Sequence, residues 1–372
     1  MKIIFICGSL EPGKDGVGDY TRRLAGELVD NGIGISILSI NDKNVEGILY
    51  DVQDINNVKL NVVRLSSNLK YSDKFKIAKQ YIDEYKPSWV SIQFVPYSFQ
   101  RRGLPFSFIK ELTKVRGSQK WHIMFHELWL GIHGKISFKE LLIAYLQKKA
   151  IFQLVKNTSP KLITTTTEIY KRKLRCEGVK ILPLFGNIPI SESNKSFCDN
   201  NLITAVYFGT FSNDIKGFES QIKFINHISE VQGKKFHLIV IGRGGTYKYQ
   251  SLEVVEEIVG KGCITDMGEL SPSDISRALL KSDIGISRAD AILFTKSGTT
   301  TAMLEHGLPV ILRGKRPNNS ALCNSFRSQI LFYNDLITSL PQKNKPMAGV
   351  NKFSQKFLDF LHEVSLTTGT SH

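Results

Sequence analysis

Short apolar runs rich in β-branched residues alternate with segments of helical period along this chain, and the whole series occurs twice. Such alternation is typical of βαβ units, in which parallel strands are buried between helices on both faces of a sheet. The runs expected to be strands are Lys2–Cys7, Gly34–Ile40, Val58–Leu65, Trp89–Phe94, His122–Phe125 and Leu162–Thr165, then Ile203–Tyr207, Phe236–Ile241, Gly285–Ser287 and Val310–Leu312. We therefore predict an α/β protein with two Rossmann-like, doubly wound parallel-sheet domains.

A polar stretch without periodicity, residues 187–201, separates the two series and is expected to be a linker. It divides the 372 residues into an N-terminal domain, 1–186, and a C-terminal domain, 202–350, each long enough for one hydrophobic core. Residues 351–372 are expected to form a C-terminal helix that packs back on the first domain, followed by a frayed tail. Because open α/β sheets bind ligands outside the carboxyl ends of their strands, we expect the two domains to face a central cleft.

The composition excludes several classes of protein. Lys and Arg outnumber Asp and Glu by 49 to 34, and an apolar content of 42% is that of a packed globule and not of a disordered chain. No apolar run approaches the roughly 20 residues that span a bilayer. The five cysteines are scattered without CxxC or Cys/His spacing, which favours reduced thiols in a cytoplasmic protein over disulfides or a zinc site.

A glycine-rich loop runs from Gly8 to Gly18, between the first strand and the first helix, and includes Gly16. Its backbone N–H groups and the positive end of the helix dipole favour a phosphate or a polar sugar. Neither GxxxxGK[ST] nor GxGxxG is present, so the loop is neither a Walker loop nor a dinucleotide fingerprint. On this feature alone, a loop without a ligand is an equally good interpretation.

A stronger signal in the second domain is the helix start Ser297-Gly298-Thr299-Thr300. Its N–H groups and hydroxyls suit a diphosphate. Glu305 follows about two turns along the helix, where its carboxylate could accept hydrogen bonds from ribose hydroxyls. The alternative is a Thr-capped core helix with an exposed glutamate.

Several motifs occur in the order found in one enzyme family. They are Gly16-Val17-Gly18, Phe125-His126-Glu127, Thr164–Glu168, Val206–Gly209 with Lys216-Gly217, Leu238–Gly242 with Gly244, Met267-Gly268 through Asp283, and Leu304–Val310. Over nearly its whole length the chain resembles the retaining GT-B glycosyltransferases of family 4, which build bacterial envelope polysaccharides and glycolipids from nucleotide-sugars. The resemblance implies a GT-B architecture.

The resemblance also implies roles for individual residues. His126 would contact the donor sugar or its reaction centre, and Lys216 would stabilise the charge on the departing diphosphate, so these two are the catalytic candidates. A packed histidine and a solvated lysine remain open as alternatives. The residues implied in binding the donor nucleotide and its diphosphate are Gly16, Gly18, Gly209, Lys216, Gly242, Arg243, Ser297, Gly298, Thr299, Thr300 and Glu305.

Two positions depart from the family pattern. Ser297 stands where the family carries the first of two glutamates, and Thr210 stands where an arginine often follows the glycine turn. The second positive charge near the diphosphate would then come from Arg243, Arg288 or Lys296. No D-x-D stretch is present to bridge a metal to the diphosphate, so we expect a metal-independent enzyme without a cofactor beyond its nucleotide-sugar substrate.

Positive charge is concentrated between residues 101 and 160, where eleven basic and three acidic residues give +8. Apolar residues are interleaved with this charge, as on a surface attracted to anionic lipid. They are Phe106, Phe108, Trp121, Trp129, Leu130, Phe138, Leu141, Leu142 and Tyr145. A basic solvated face over a core helix is the alternative. Nucleic acid is not an expected partner, because no motif that reads it is present.

Together these features predict a glycosyltransferase that moves a sugar from a nucleotide-diphosphate-sugar to a lipid-linked saccharide or an envelope polysaccharide, as in lipopolysaccharide or O-antigen assembly. The enzyme would be cytoplasmic and peripheral at the inner face of the cytoplasmic membrane. Two alternatives remain open: a non-catalytic GT-B partner subunit with a degraded site, and a sugar-nucleotide epimerase that needs no acceptor.

Overall fold

A computed structural model describes residues 1–55, 57–115, 117–132, 136–191, 200–317 and 327–367 of the chain. The chain divides into two compact units. The first consists of Met1–Pro183 with Val350–His372, and the second of Leu184–Gly349. Each unit is built on a β-sheet of its own.

The strands of the first unit are β1 Lys2–Cys7, β2 Gly34–Asp42, β3 Ile48–Ile55, β4 Val58–Ser66, β5 Trp89–Phe94, β6 Lys120–Phe125, β7 Leu162–Thr165 and β8 Lys180–Ile181. They form one sheet in the order β3-β4-β2-β1-β5-β6-β7-β8. Every neighbouring pair is parallel except β3 and β4, which form an antiparallel pair at the edge. The six strands predicted for this part are confirmed, whereas β3 and the two-residue β8 were not predicted.

The strands of the second unit are β9 Leu202–Thr210, β10 Lys235–Gly244, β11 Ile264–Gly268, β12 Ile284–Asp290, β13 Val310–Arg313 and β14 Ile330–Leu331. Their order is β11-β10-β9-β12-β13-β14, and all pairs are parallel. In both sheets the strand order reverses beside the first strand, at β1/β5 and at β9/β12, which is the doubly wound arrangement. The predicted α/β fold class with two parallel-sheet domains is confirmed.

Helices connect the strands and cover the sheets. They are α1 Gly16–Asp30, α2 Tyr71–Tyr85, α3 Pro96–Phe99, α4 Phe106–Leu112, α5 Phe138–Thr158, α6 Glu168–Leu174, α7 Ile215–Val231, α8 Lys248–Val259, α9 Pro272–Lys281, α10 Gly298–Glu305 and α11 Val350–Thr367. Single 3₁₀ turns occur at Thr113–Val115, Phe294–Lys296 and Arg327–Gln329. Within the described ranges, no helix combines the length and the apolar character that crossing a membrane requires.

Helical periodicity explains how α1 packs. Tyr20, Leu24 and Leu28 recur at i, i+4 and i+8, as the sequence predicts, and all three are buried against the sheet. The helix begins where the Asp15 carboxylate accepts a hydrogen bond from the N–H of Gly18 at 2.7 Å.

The last helix, α11, belongs to the first unit although it follows the second in sequence. The ring of Phe357 lies 6.2 Å from that of Phe5 on β1 and 5.0 Å from that of His122 on β6. The ring of Phe353 lies 5.6 Å from that of Tyr20 on α1. These aromatic contacts attach the C-terminal segment to the core of the first unit.

The segment expected to be a linker, 187–201, lies in the second unit where it is described. Ile188 is buried in an apolar cluster of that unit, and the N–H of Ser191 donates to Oγ of Ser276 at 2.8 Å. Residues 192–199 lie outside the described residues. The sheet of this unit has apolar clusters on both faces, because Ala205 and Val206 of β9 point to opposite sides.

Candidate functional site

In the second unit, the strand order reverses between β9 and β12, and the carboxyl ends of these strands form the expected ligand edge. Gly209, near the end of β9, has a φ of +123°, and a Cβ there would lie 3.5 Å from Cγ2 of Thr299. Gly242 on β10 has a φ of +110°, and a Cβ there would lie 3.2 Å from the carbonyl oxygen of Gly209. The two predicted glycines therefore meet at this edge, beside the start of α10.

The N-terminus of α10 is capped by a hydroxyl network. Oγ of Ser297 accepts from the N–H of Thr300 at 3.3 Å and from the Thr300 hydroxyl at 2.8 Å. Oγ of Ser287 on β12 lies 2.6 Å from Oγ1 of Thr300, and since the Thr300 proton goes to Ser297, the Ser287 hydroxyl donates. Ser297 and Thr300 thus shape the helix start, while Gly298 and Thr299 are half-buried and carry the first N–H groups of the helix.

Two cations stand at this edge without a carboxylate nearby. Lys216 is exposed in the first turn of α7, which follows β9, and Arg288 is exposed near the end of β12. Within the described ranges, no carboxylate oxygen lies within 4 Å of either side chain. The N-cap of α7 is Asp214, whose Oδ1 accepts from the N–H of Gly217 at 3.1 Å. Lys216 and Arg288 are therefore available to an anionic ligand.

Other cations at the same edge already have carboxylate partners. Arg243 on β10 pairs with Glu269 at 2.6 Å, and both side chains are exposed. Arg313, at the end of β13, lies 3.5 Å from Asp290 and 3.7 Å from Asp214. Arg243 is thus brought to the predicted edge, where it forms an exposed and therefore weak pair with Glu269.

Two stacked aromatic rings lie next to these charges. The rings of Tyr207 and Phe211 are 4.0 Å apart with an interplanar angle of 1°, and they line a small pocket together with Asp214, Arg288 and Arg313. Burial raises the pKa of Tyr207 to about 12, and the charge of Arg288 opposes this rise. This pocket could not be predicted from the sequence, because only the pairing of β9, β12 and β13 brings its residues together.

Glu305 is enclosed within the second unit. Its side chain is 2% exposed, and Oε1 accepts a hydrogen bond from the N–H of Gly186 at 2.9 Å. A Cβ at Gly349 would lie 2.3 Å from the same oxygen. Glu305 is the last residue of α10, about 10 Å along the helix axis from Gly298. Oε1 of this buried carboxylate therefore holds the backbone of Gly186 in place, and the expected contact with ribose stays a prediction.

The glycine-rich loop of the first unit closes on itself. The N–H of Gly18 donates to Asp15 and is not free, and a Cβ at Gly18 would lie 2.4 Å from the carbonyl oxygen of Ser9. Gly18 is thus required for the loop to pack on the helix. Gly16 is exposed and has open space around its Cα.

Asp42 holds this loop in place and was not predicted. It is completely buried at the end of β2, where its carboxylate accepts from Nε of Arg64 at 2.8 Å, Oγ of Ser9 at 3.0 Å and the N–H of Leu10 at 3.0 Å. Nη2 of Arg64 also donates to Glu11 at 2.6 Å. The signal that could have found Asp42 is an acidic residue that ends an apolar strand beside a glycine loop.

His126 lies directly after β6, at the carboxyl edge of the first sheet. It is 6% exposed, and Nε2 is 2.8 Å from Oε1 of Gln93 on β5. The ring of Tyr20 meets the imidazole edge-on at 4.8 Å. Burial lowers the pKa of His126 to about 3, so the imidazole is neutral at ordinary pH.

The predicted site residues thus fall into three places. Gly209, Lys216, Gly242, Arg243, Ser297, Gly298, Thr299 and Thr300 share the carboxyl edge of the second sheet, Gly16, Gly18 and His126 lie at that of the first, and Glu305 lies inside the second unit. Within the described part of the chain, no group of three or more His, Cys, Asp or Glu side chains is arranged to hold a metal ion.

No protein-family model and no curated protein sequence matches the chain. Solved structures match its fold over almost its whole length. Sucrose-phosphate synthase from Thermosynechococcus elongatus has a TM-score of 0.58 at 13% identity, covering 98% of this chain and 90% of that one. A structure described as trehalose-6-phosphate from E. coli bound with UDP-2-fluoro glucose has a TM-score of 0.55 at 10% identity, covering 98% and 96%.

A third match is WaaG, described as a glycosyltransferase involved in lipopolysaccharide biosynthesis, with a TM-score of 0.52 at 12% identity, covering 99% of this chain and 95% of that one. At these identities the matches establish the fold. The predicted GT-B architecture with two parallel-sheet domains is therefore confirmed.

Proposed function

We propose that the protein is a glycosyltransferase that moves a sugar from a nucleotide-diphosphate-sugar to a lipid-linked saccharide or an envelope polysaccharide. The observation that carries the proposal is the N-terminus of α10 at the strand-order reversal of the second sheet, with Lys216 and Arg288 at the same edge. A helix N-terminus with nearby cations is an anion site suited to a diphosphate. The fold supports the proposal, since a structural neighbour is described as bound with UDP-2-fluoro glucose.

In the reaction, the acceptor hydroxyl oxygen forms a bond to the anomeric carbon of the donor and releases its proton to solvent. The bond between that carbon and a diphosphate oxygen breaks, and its electron pair stays on the oxygen, so the diphosphate gains one negative charge. Lys216, Arg288 and the N–H groups of Gly298 and Thr299 would stabilise that charge as it develops, which is the largest class of catalytic effect. His126 would bind a sugar hydroxyl. Glu305 would accept hydrogen bonds from the ribose hydroxyls of the donor, and Oε1 of its buried carboxylate also accepts the N–H of Gly186.

Family 4 membership, retention of the anomeric configuration and independence of metal ions are part of the proposal and rest on the sequence resemblance. The acceptor is proposed to be lipid-linked, and the enzyme to act at the inner face of the cytoplasmic membrane. Lipopolysaccharide or O-antigen assembly is the proposed setting, in agreement with the description of WaaG.

The surface proposed to meet the membrane is one face of α5. Four large apolar side chains at helical spacing are exposed there: Phe138 by 88%, Leu141 by 56%, Leu142 by 61% and Tyr145 by 54%. Exposed Lys139, Lys148, Lys149 and Lys156 flank them on the same helix. An exposed apolar stripe bordered by lysines suits an anionic lipid surface.

Not all of the residues 101–160 belong to this surface. Phe108 and Trp121 are core residues, and Lys114 pairs with Glu111 at 2.7 Å. Arg116 and Lys135 lie outside the described residues. We therefore limit the proposed membrane contact to α5, whose first half carries the four exposed apolar side chains.

Replacing Phe138 with serine is expected to weaken binding to vesicles of phosphatidylglycerol and phosphatidylcholine about ten-fold, because burying a Phe side chain contributes about 1.5–3 kcal/mol. Vesicle co-sedimentation measures this. The matched control is Tyr249→Ser, which removes an aromatic side chain that is 79% exposed on α8 and is expected to change nothing. Equal binding of the protein and Phe138→Ser, or equal binding to pure phosphatidylcholine, would contradict the proposed surface.

The function itself is tested by incubating the purified protein with a panel of UDP-, GDP- and other nucleotide-sugars, with and without envelope glycolipid, and measuring nucleoside diphosphate release. We expect release with one donor and only in the presence of acceptor. Donor binding without release would instead indicate a non-catalytic partner subunit, and conversion of the donor sugar without acceptor would indicate an epimerase. A panel with no release and no donor-induced thermal shift would rule out all three.

A further inference from the structure

Five polar side chains form a continuous hydrogen-bonded chain across β5, β6 and β7. Nε2 of His126 lies 2.8 Å from Oε1 of Gln93, and Nε2 of Gln93 lies 2.9 Å from Oγ of Ser91. Oγ of Ser91 lies 2.8 Å from Nδ1 of His122, whose Nε2 lies 2.9 Å from Oγ1 of Thr164. All five are at most 6% exposed. A buried network of this kind fixes the position of each hydrogen when every donor in it has one acceptor.

Heavy-atom positions alone allow two directions for this chain. In the first, every group donates to its neighbour on the Thr164 side. In the second, every group donates to its neighbour on the His126 side, and the oxygen and nitrogen of the Gln93 amide are exchanged. The first direction puts the hydrogen of His126 on Nε2. The second requires Nε2 of His126 to accept, and so puts the hydrogen on Nδ1.

The thioether of Met124 decides between them. Oγ1 of Thr164 lies 2.8 Å from Sδ of Met124. A thioether has no hydrogen to give, and at this distance two lone pairs would repel, so the Thr164 hydroxyl donates to sulfur. Because the only hydroxyl proton of Thr164 points to sulfur, Nε2–H of His122 must donate to the Thr164 oxygen. Nδ1 of His122 then accepts from Ser91, Ser91 accepts from the Gln93 amide N–H, and Oε1 of Gln93 accepts from Nε2–H of His126.

We infer that Gln93, Ser91, His122 and Thr164 are positioning residues that hold His126 as the Nε2–H tautomer, leaving Nδ1 as an acceptor for a ligand hydroxyl at the carboxyl edge of the first sheet. No residue in the described ranges hydrogen bonds Nδ1. The edge-on ring of Tyr20, itself packed on Phe353 of α11, fixes the plane of the imidazole. That the hydroxyl belongs to a sugar rests on the proposed function, whereas the tautomer does not.

The tautomer also decides which ligand groups are accepted. A carbonyl or phosphate oxygen would meet the lone pair of Nδ1 and be repelled, whereas a hydroxyl donates to it. Burial lowers the pKa of both His122 and His126 to about 3, and burial raises that of Tyr20, so these three neighbours stay neutral at ordinary pH. The discrimination therefore persists across the range in which enzymes are assayed.

Long-range ¹H–¹⁵N NMR of the full, ligand-free protein labelled at histidine tests the tautomer, with His126 assigned through the loss of its signals in His126→Asn. We expect a protonated Nε2 and an unprotonated Nδ1. A protonated Nδ1 would mean that the chain runs in the other direction, and it would overturn the inference. Because no donor is added, the result is independent of whether the protein binds nucleotide-sugars.

Two neighbouring threonines on β7 give a matched pair of variants for the positioning role. Thr164→Val removes the hydroxyl that sets the direction, and we expect the His126 nitrogen shifts to move towards those of a tautomer mixture. Thr165→Val removes a buried hydroxyl that donates to the Phe125 carbonyl at 3.1 Å, outside the chain, and is expected to leave the His126 spectrum unchanged. An unchanged spectrum in folded Thr164→Val would refute the positioning role.

Discussion

Replacing Asp42 with alanine is expected to lower the free energy of unfolding of the first unit by about 3–5 kcal/mol, because Arg64 then loses its fully buried carboxylate partner and keeps only the partly exposed Glu11. Arg64 is 6% exposed at its side chain, and Asp42 is fully buried. The loss also frees the loop, since Ser9 and Leu10 donate to the same carboxylate. All three tryptophans, Trp89, Trp121 and Trp129, lie in the first unit, so tryptophan fluorescence during urea unfolding measures this unit alone.

A matched control is Asp83→Ala. Asp83 pairs with Lys79 at 2.6 Å on α2 of the same unit, but the two side chains are 61% and 51% exposed. An exposed i, i+4 pair contributes about 0.3–0.5 kcal/mol, so this variant should unfold almost as the unaltered protein does. Similar losses in Asp42→Ala and Asp83→Ala would show that the Asp42 carboxylate does not organise the loop.

The stabilising effect of Asp42 is expected to depend on pH. Burial alone would raise the pKa of this carboxyl, but hydrogen bonds from Arg64, Asn44 and Leu10 outweigh it and lower the pKa from 3.8 to about 2. A carboxyl whose pKa is lower in the folded state stabilises the fold fully above its unfolded pKa. The stability difference from Asp42→Asn should therefore be constant above about pH 4 and shrink between about pH 4 and 2.

The buried parallel strands could be predicted because burial on both faces leaves a continuous apolar run, as in Lys2–Cys7. The edge strand β3 could not, because its residues Tyr50 and Val52 are exposed and Asp51 and Asp54 interrupt the apolar pattern. It is recognisable only from its antiparallel partner β4. The local sequence pattern was thus enough to predict the α/β class, whereas the edge strand β3 depends on its pairing with β4.

The site residues divide along the same line. Ser297–Thr300 could be predicted because a helix start is a local feature, and Gly209 and Gly242 because a glycine turn ends each strand. The environment of Glu305 could not be predicted, since it depends on Gly186, 119 residues away in sequence. The sequence gives the distance of Glu305 from the start of α10, but it does not show that the backbone of Gly186 covers the end of this helix.

Replacing Lys216 or Arg288 with alanine is expected to lower kcat of the proposed transfer by about 10²–10³-fold each, the usual cost of removing one group that stabilises charge in a transition state. Neither side chain has a carboxylate partner among the described residues, so each can give its full charge to a departing diphosphate. The measurement is nucleoside diphosphate release at saturating donor. Affinity for the intact nucleotide-sugar, measured by calorimetry without acceptor, should fall by less, because the extra charge on the diphosphate develops only as the bond to the sugar breaks.

Matched controls lie on the same helices or nearby. Lys223→Ala removes a lysine two turns further along α7, 61% exposed and paired with Glu219 at 2.6 Å, and Arg277→Ala removes an exposed arginine of α9. Both should keep the unaltered kcat. A loss confined to KM in Lys216→Ala and Arg288→Ala would mean that the two cations only bind the donor. If Lys216 and Arg288 act on one diphosphate, their effects should not be independent. The fall in kcat of the double variant should then be smaller than the product of the two single falls, since the first substitution already disturbs how the diphosphate is held.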